Sequence, residues 1–454
     1  MLTSLSEGSP YALVEGARMR CATIATSVGG IPYMMESGVT GLLFTPRDVE
    51  TLTSYMVRLV ENPAFRRKLG ENFYEKAEQV YSAEATVRHQ LDIYRTILRQ
   101  TARPKEKRCG VMICGAYGKG NAGDEAILKA ILRQLQHIDP DMPVCVLSHN
   151  PKATRLTHHV GAVYVFNPFS FLPVMRRTKL YISGGGSLIQ NQTSTRSLNY
   201  YLLSIRLAKL TGNRVLMYGC GIGPVSGEGC RKSAARVIDR NVDAITLRED
   251  LSAEELKTMG VTKPKVYVTA DPALLLEAGS EGAVDGFLLG NNIDPAGRYA
   301  LFVLREWQGF AAKKHGLTPI FFALEPGRDL PPSREVAREL PFECPMLSAP
   351  TDEKLIIGMM KKMQVVVSMR LHALIFASSV AAPLVAVSYD PKVTGFMHYI
   401  GQKHCVYFED VTAENLCALI DGALTERSEY SVDRLRALAA QNEEIAKELL
   451  EEPI

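Results

Sequence analysis

The chain has 454 residues, 46% hydrophobic and 22% charged, with a net charge of +3 and a mean hydropathy of −0.02. That composition fits a globular protein of two or three domains, and so small a charge excess gives no footing for nucleic-acid or membrane binding. Nine cysteines without a CxxC pair fit reduced thiols rather than a disulfide framework or a metal knuckle. No apolar run reaches the roughly 18 residues that span a bilayer and no leader pattern opens the chain, so a cytoplasmic protein with no metal is expected.

In chain order, residues 1–100 come first and end in the helical stretch "AEATVRHQLDIYRTILRQ". Residues 101–107, in the charged stretch "TARPKEKR", read as a linker. Twelve β-rich runs follow: "GVMIC", "PVCVL", "VYVF", "KLYIS", "RVLMY", "DAITL", "KVYVT", "YALFVL", "PIFFAL", "QVVVS", "PLVAVS" and "CVYF". Helical patterns such as "DEAILKAILRQLQ", "LNYYLLSIRLAKL" and "EKLIIGMMKKM" separate them. Such alternation predicts an α/β fold of parallel sheets covered on both faces. Twelve strands overfill one sheet, and "EAGSEGAVDGFLLGNNIDPAG" reads as a connection. The expected architecture is therefore two Rossmann-like domains facing a cleft, over 108–278 and 279–454. A terminal helix around 431–452 crosses back over the hinge, and residues 1–100 form a partial α/β segment.

In parallel sheets, ligands bind beyond the carboxyl ends of the strands, and the polar and glycine-rich features gather there. "GAYGKGNAGDE" follows the first of these strands and opens a helix. Its spacing is neither a dinucleotide fingerprint nor a P-loop, and it reads equally as a ligand-contacting loop or a structural turn. Gly118, Asn121 and Asp124 are its candidates. The same two readings apply to Gly184, Gly185 and Gly186 in "GGGSLIQN". Arg370 and His372 stand in the apolar run "VVVSMRLHALIFASS", where two cations cost several kcal/mol unless paired or used. In an extended exit from the strand the two point to one side. Arg248, Arg305 and Lys392 follow other strands at the same edge, which favours an anion site. Arginine forks suit carboxylate and phosphate, lysine adds a point charge, and histidine can move a proton. Cations crowded into one cleft repel, so the expectation is that an anion joins them.

From about residue 108 onward the chain resembles bacterial polysaccharide pyruvyl transferases of the CsaB type. The resemblance is carried in order by "GAYGKGNAGDEAIL", "YISGGGSLIQN", "YGCGIGP", "AITLREDLS", "VTADPAL", "SMRLHALIFA" and "YDPKV". Ala116 and Lys119 depart from it, standing where aromatic residues are common. It implies a glycosyltransferase-B-like architecture and phosphoenolpyruvate as co-substrate with no further cofactor. It also implies a pyruvyl ketal on a cell-wall polysaccharide sugar, typically N-acetylmannosamine, with a polysaccharide or lipid-linked saccharide as acceptor. The setting is then the cytoplasm or the inner face of the membrane, with at most peripheral membrane contact. Arg370, Arg248 and Lys392 would grip carboxylate and phosphate, with Arg305 in support. His372 would be the general acid/base, protonating the enol or taking the hydroxyl proton. The two glycine-containing loops would face the sugar.

The opening stretch, "SLSEGSPYALVEGARMRCATIATSVGGIPYMMESGVTGLLFTPRDVETL", is similar instead to the donor-binding end of retaining family-4 glycosyltransferases. Glu7 and Glu15 match that family's paired glutamates, which contact the nucleotide-sugar. With the early half of that domain absent, the segment reads as a vestigial site: a remnant of a fused transferase or the product of a misassigned start. Its removal is expected to spare the chemistry. The rival readings are a nucleotide-sugar-dependent glycosyltransferase and a non-catalytic saccharide-binding protein.

Overall fold

The computed structural model describes residues 1–102, 108–192, 194–304, 316–338, 340, 342–350, 352–426 and 430–452. Most of the predicted linker and Arg305 lie outside them. The chain divides into two compact units, one of Met1–Arg103 with Ala278–Gly297, the other of Pro104–Glu277 with Arg298–Ile454.

In the first unit, β1 (Ile24–Thr26) and β2 (Leu42–Phe44) pair in parallel. Helices Val49–Glu61 and Pro63–Val80 follow. Each starts where a side chain accepts from a free backbone N–H: Asp48 from Thr51 at 3.0 Å and Asn62 from Phe65 at 2.9 Å. Ile24, Leu42, Phe44, Leu59, Phe65 and Leu69 form a core against which Leu289 also packs. Leu289 belongs to helix Glu281–Gly290, in the stretch read from sequence as a mere connection. That helix lies on Pro63–Val80, and the Arg58 guanidinium donates to the carbonyls of Leu289 and Gly290. These are two of the carbonyls a helix end leaves unpaired.

The second unit holds two wholly parallel sheets. The first contains β3 (Val111–Cys114), β4 (Val144–Ser148), β5 (Gly161–Tyr164), β6 (Leu180–Gly184), β7 (Arg214–Cys220), β8 (Ala244–Leu247) and β9 (Lys265–Val268), in the order β5-β4-β3-β6-β7-β8-β9. The second contains β10 (Tyr299–Val303), β11 (Thr318–Ala323), β12 (Met346–Ser348), β13 (Val365–Ser368), β14 (Leu384–Ser388) and β15 (Cys405–Tyr407), in the order β12-β11-β10-β13-β14-β15. Their central strands are unbroken apolar runs because helices cover both faces; every residue of β3, β6, β10, β13 and β14 is buried. Each sheet reverses its strand order once, between β3 and β6 and between β10 and β13, which is where ligands settle in open α/β sheets.

Two local expectations are corrected. The edge strand β12 was not anticipated. The residues after β13 are also not an extended exit: Arg370 caps helix Leu371–Ser379 and His372 sits in its first turn. The terminal helix, Val432–Glu451, packs on helix Ala122–Ile138 and β7 beside the first sheet and on Leu371–Ser379 beside the second.

The helix in the connection carries a cost for truncation. Removing residues 1–104 strips Leu289 of its core partners, so the shortened protein should unfold at lower urea concentration than the full chain. An unchanged midpoint would show that this packing contributes nothing. A finer probe is Gly286→Ala, whose methyl would collide with the Asn72 amide. Asn72 is buried and donates to the Val39 carbonyl at 3.0 Å, so it cannot yield cheaply. The expected loss is about 1–3 kcal/mol by urea denaturation.

Candidate active site

Both switch points open onto one cavity of about 430 Å³ within the second unit, a volume suited to a small substrate. Ala116, Asn121 and Asp124 line it from beyond β3, Gly186, Ser187 and Gln190 from beyond β6, and Arg248 from beyond β8. Across from them stand Glu325 and Arg328 after β11, Arg370 and His372 after β13, and Asp390 and Lys392 after β14.

The strand ends are shaped by short side-chain bonds. Ser368 Oγ accepts from the Arg370 N–H at 2.8 Å and donates to the Arg370 carbonyl at 3.0 Å, which fixes the turn that aims the guanidinium. On the next strand Ser388 Oγ donates to the Asp390 carbonyl at 3.1 Å, and Asp390 caps the helix that carries Lys392. Asn121 caps helix Ala122–Ile138. The third residue of that cap is Gly123, where a methyl would strike the His372 ring. The imidazole can therefore lie against the start of this helix only because position 123 has no side chain.

Each cation already has a carboxylate. Arg248, 2% exposed, donates from Nε to Glu249 at 3.0 Å, from Nη1 to Asp271 at 3.3 Å and from Nη2 to Ser187 at 3.1 Å. Burial alone would lower its pKa, but Glu249 and Asp271 outweigh it and the net direction is upward. Arg370 donates from Nε to Asp329 at 2.9 Å and from Nη2 to Asp329 and Glu325. Lys392 pairs with Asp390 at 3.0 Å. The expectation that only a bound anion reconciles these charges is thus corrected, because the chain supplies the counter-ions itself. The fully buried Asp271 and Asp329 do not line the cavity; they anchor the arginines from outside its wall.

Two lining groups are displaced from their ordinary titration. Burial first, then the charges of Arg248, Lys392 and Arg370, push the His372 imidazole down to about 3, so it is neutral at physiological pH. Its buried Nε2 has no hydrogen-bond partner among the described residues. Burial, reinforced by Glu125 and Glu325 against the opposing pull of Lys119 and Arg248, lifts the Asp124 carboxyl to about 7. An acid and a base held far apart in pKa within one cavity are the raw material of proton transfer.

The remaining candidates fall elsewhere. Gly118 packs against Ser148 and Asn150, Gly184 against Ile131 and the Tyr117 hydroxyl, and Gly185 against Ile127; of these glycines only Gly186 lines the cavity. Glu7 and Glu15 belong to the first unit, where Glu7 accepts from Ser4 at 2.7 Å and Glu15 is exposed. Glu325, Arg328 and Asp329 were missed, although "EPGRD" directly follows a strand at the same edge and could have drawn notice.

The family model for polysaccharide pyruvyl transferase matches residues 121–391, a span that contains every lining residue named above except Ala116 and Lys392. The chain belongs to the polysaccharide pyruvyl transferase family. A second model, for glycosyl transferases group 1, matches residues 1–76 ahead of the pyruvyl transferase domain. Curated relatives share short stretches with the chain. A D-inositol 3-phosphate glycosyltransferase of Nocardioides is 33% identical over 92 residues, 20% of either protein. An N-acetyl-alpha-D-glucosaminyl L-malate synthase of Bacillus anthracis is 29% identical over 107 residues, 23% of this chain and 28% of its own length. The chain thus spans about a quarter of the curated relatives it matches. Among solved structures, the UDP-GlcNAc 2-epimerase of Neisseria meningitidis bound to UDP-GlcNAc superposes with TM-score 0.52 at 12% identity, over 75% of this chain and all of its own. Anabaena HepE in complex with UDP gives 0.51 at 11%, over 75% and 99%. These likenesses establish the two-sheet fold. No helix among the described residues is long and apolar enough to cross a membrane.

The displaced carboxyl of the pyruvyl transferase domain has a measurable signature. Between its ordinary pKa of 3.8 and about 7, the folded protein keeps a proton on Asp124 that the unfolded chain has released. Its contribution to stability is therefore lost as pH rises through that window. For His372 the folded value lies below the ordinary 6.5, so its contribution is lost as pH falls from 6.5 toward 3. Asp124→Asn should remove the first dependence and make the variant more stable than the parent above pH 7 by urea denaturation. Asp329→Ala should instead lower stability, by about 1.5–3 kcal/mol, because the partly exposed Arg370 guanidinium loses its buried carboxylate partner.

Proposed function

We propose that the cavity binds phosphoenolpyruvate and transfers its pyruvyl group to a saccharide as a cyclic ketal, with release of phosphate. The observation that carries this reading is a neutral imidazole, its Nε2 unpartnered among the described residues, in one cavity with a half-titrated carboxyl and a wall of oriented cations. Arg370 and Lys392 on one side and Arg248 on the other hold the carboxylate and phosphate. Asp124, protonated below about pH 7, delivers a proton to the methylene carbon, and positive charge develops at the neighbouring carbon. A sugar hydroxyl attacks that carbon as His372 Nε2 takes its proton. The C–O bond to phosphate then breaks and a second hydroxyl closes the ring. The methyl group gains one proton, the two hydroxyls lose two, and the leaving phosphate takes up the other. Fixed charges in a closed site contribute both positioning and stabilisation of the developing cation.

The family's name supports a polysaccharide acceptor, and the CsaB-type motifs favour N-acetylmannosamine in a cell-wall polymer, presented on a lipid carrier at the inner face of the membrane. No cofactor beyond phosphoenolpyruvate is required. Incubating the full chain with phosphoenolpyruvate and a synthetic N-acetylmannosamine acceptor should release one phosphate per ketal formed. Nucleotide release from a UDP-sugar without phosphoenolpyruvate turnover would sink the proposal. Arg370→Ala should raise KM for phosphoenolpyruvate about ten- to a hundredfold, and His372→Ala should chiefly lower kcat. With Asp124 as the acid, kcat/KM should fall as pH rises through about 7.

A further inference from the structure

The loop that supplies Asn121 and Asp124 also reaches outward along the sheet edge. The His149 N–H, just past β4, donates to the Tyr117 carbonyl at 3.0 Å. The Lys119 charge acts both on Asp124, facing the cavity, and on His149, which stands beyond the lining residues. From His149 a row of rings continues across the ends of β4 and β5. His149 meets Phe166 at 5.4 Å between ring centres, Phe166 meets Tyr164 at 5.8 Å and Tyr200 at 5.5 Å, all near-perpendicular. Tyr200 is pinned by its hydroxyl, which donates to the Val165 carbonyl at 3.2 Å. Phe166 is nevertheless 58% exposed and Tyr164 46%.

Three neighbouring rings thus hold an aromatic side chain rigid while leaving much of it in water, an arrangement that core packing does not require. Asn150 and Asn167, both exposed beside the row, cap helices through Oδ1, which leaves their amide N–H groups as donors. Rigid ring faces flanked by amide donors suit a pyranose, whose C–H faces are apolar and whose rim is hydroxyl.

We propose that this row is a subsite for the saccharide chain that extends from the reacting sugar, at the carboxyl ends of β4 and β5. The proposal rests on the acceptor reading above and adds where the rest of the polymer runs. A membrane surface is the lesser fit: the row is continuous with the loop that lines the cavity, and exposed asparagine amides stand beside it.

The test uses the full chain, the methyl glycoside of N-acetylmannosamine and a β-linked N-acetylmannosamine hexasaccharide. Phe166→Ala should raise KM for the hexasaccharide about tenfold and leave KM for the methyl glycoside and for phosphoenolpyruvate unchanged; Phe166→Trp should restore it. Saturation-transfer NMR without phosphoenolpyruvate reads the same contact apart from chemistry, so it still decides the matter if pyruvyl transfer itself fails. Contact from parent protein to the outer sugars, lost in Phe166→Ala, is the expected result. No contact in the parent, or equal contact and KM in the variant, would overturn the proposal. So would a variant that loses only sedimentation with anionic phosphatidylglycerol vesicles.

Discussion

A guanidinium taken out of water must find carboxylates, and that constraint organises the site. Arg248 is wedged between Glu249 and Asp271, and Arg370 against Asp329 and Glu325. Such pairs add little net stability, because desolvation consumes most of the Coulombic gain. What they supply is direction. A guanidinium whose Nε edge is tied down can turn only its remaining N–H groups to a ligand, so the cavity wall is set before any substrate arrives. Asp329 in turn accepts from the Glu325 N–H at 2.9 Å, which ties the loop after β11 to the guanidinium that follows β13.

Burial first, and then the same fixed charges, account for the imidazole. Three cations near one enclosed ring oppose a fourth, and His372 stays neutral. A dianionic ligand between them would reverse part of that field and make the ring more basic as the substrate binds. In the proposed reaction the base would then strengthen only when there is a hydroxyl proton to accept. Asp124 responds in the same direction, since an arriving anion further disfavours its ionised form. One electrostatic event therefore prepares both groups, keeping the acid protonated while the base gains affinity for a proton.

The central strands were legible because parallel sheets buried on both faces demand continuous apolar runs, and runs such as "VVVS" and "LVAVS" have few other uses. Met346–Ser348, three residues at an edge, carries no such run. Helix Leu371–Ser379 stayed hidden for the opposite reason: nearly all its residues are buried, so no polar face marks a 3.6-residue period. The cations could be read one by one from their places after strands. Two of their partners could not, because Asp271 lies 23 residues from Arg248 and Asp329 lies 41 from Arg370, and only sheet order brings them together. Gly123 is similar, since its need to be glycine comes from a ring some 250 positions away in sequence.

Because His372 belongs to one sheet and Asp124 to the other, the chemistry depends on what holds the two sheets together. The terminal helix is central to this. Asn442 accepts from Thr269 at 3.0 Å and donates to the Ala270 carbonyl at 3.0 Å, fully buried beside the first sheet. Two turns earlier, Arg436 donates to the Ser379 carbonyl at 3.2 Å, at the end of the helix that bears His372. Lys129 and Glu353 add an ion pair at 2.7 Å between the sheets, and the Tyr399 hydroxyl bonds the Thr269 carbonyl. Opening the cavity widely would leave several of these groups unpaired in a poorly solvated interior, at a cost that grows with each one. A preformed pocket, entered by substrate without large rotation of the sheets, is the arrangement these bonds favour. The Gly123–His372 contact is then a fixed feature of the resting protein, with Asp124 and His372 lining the same cavity.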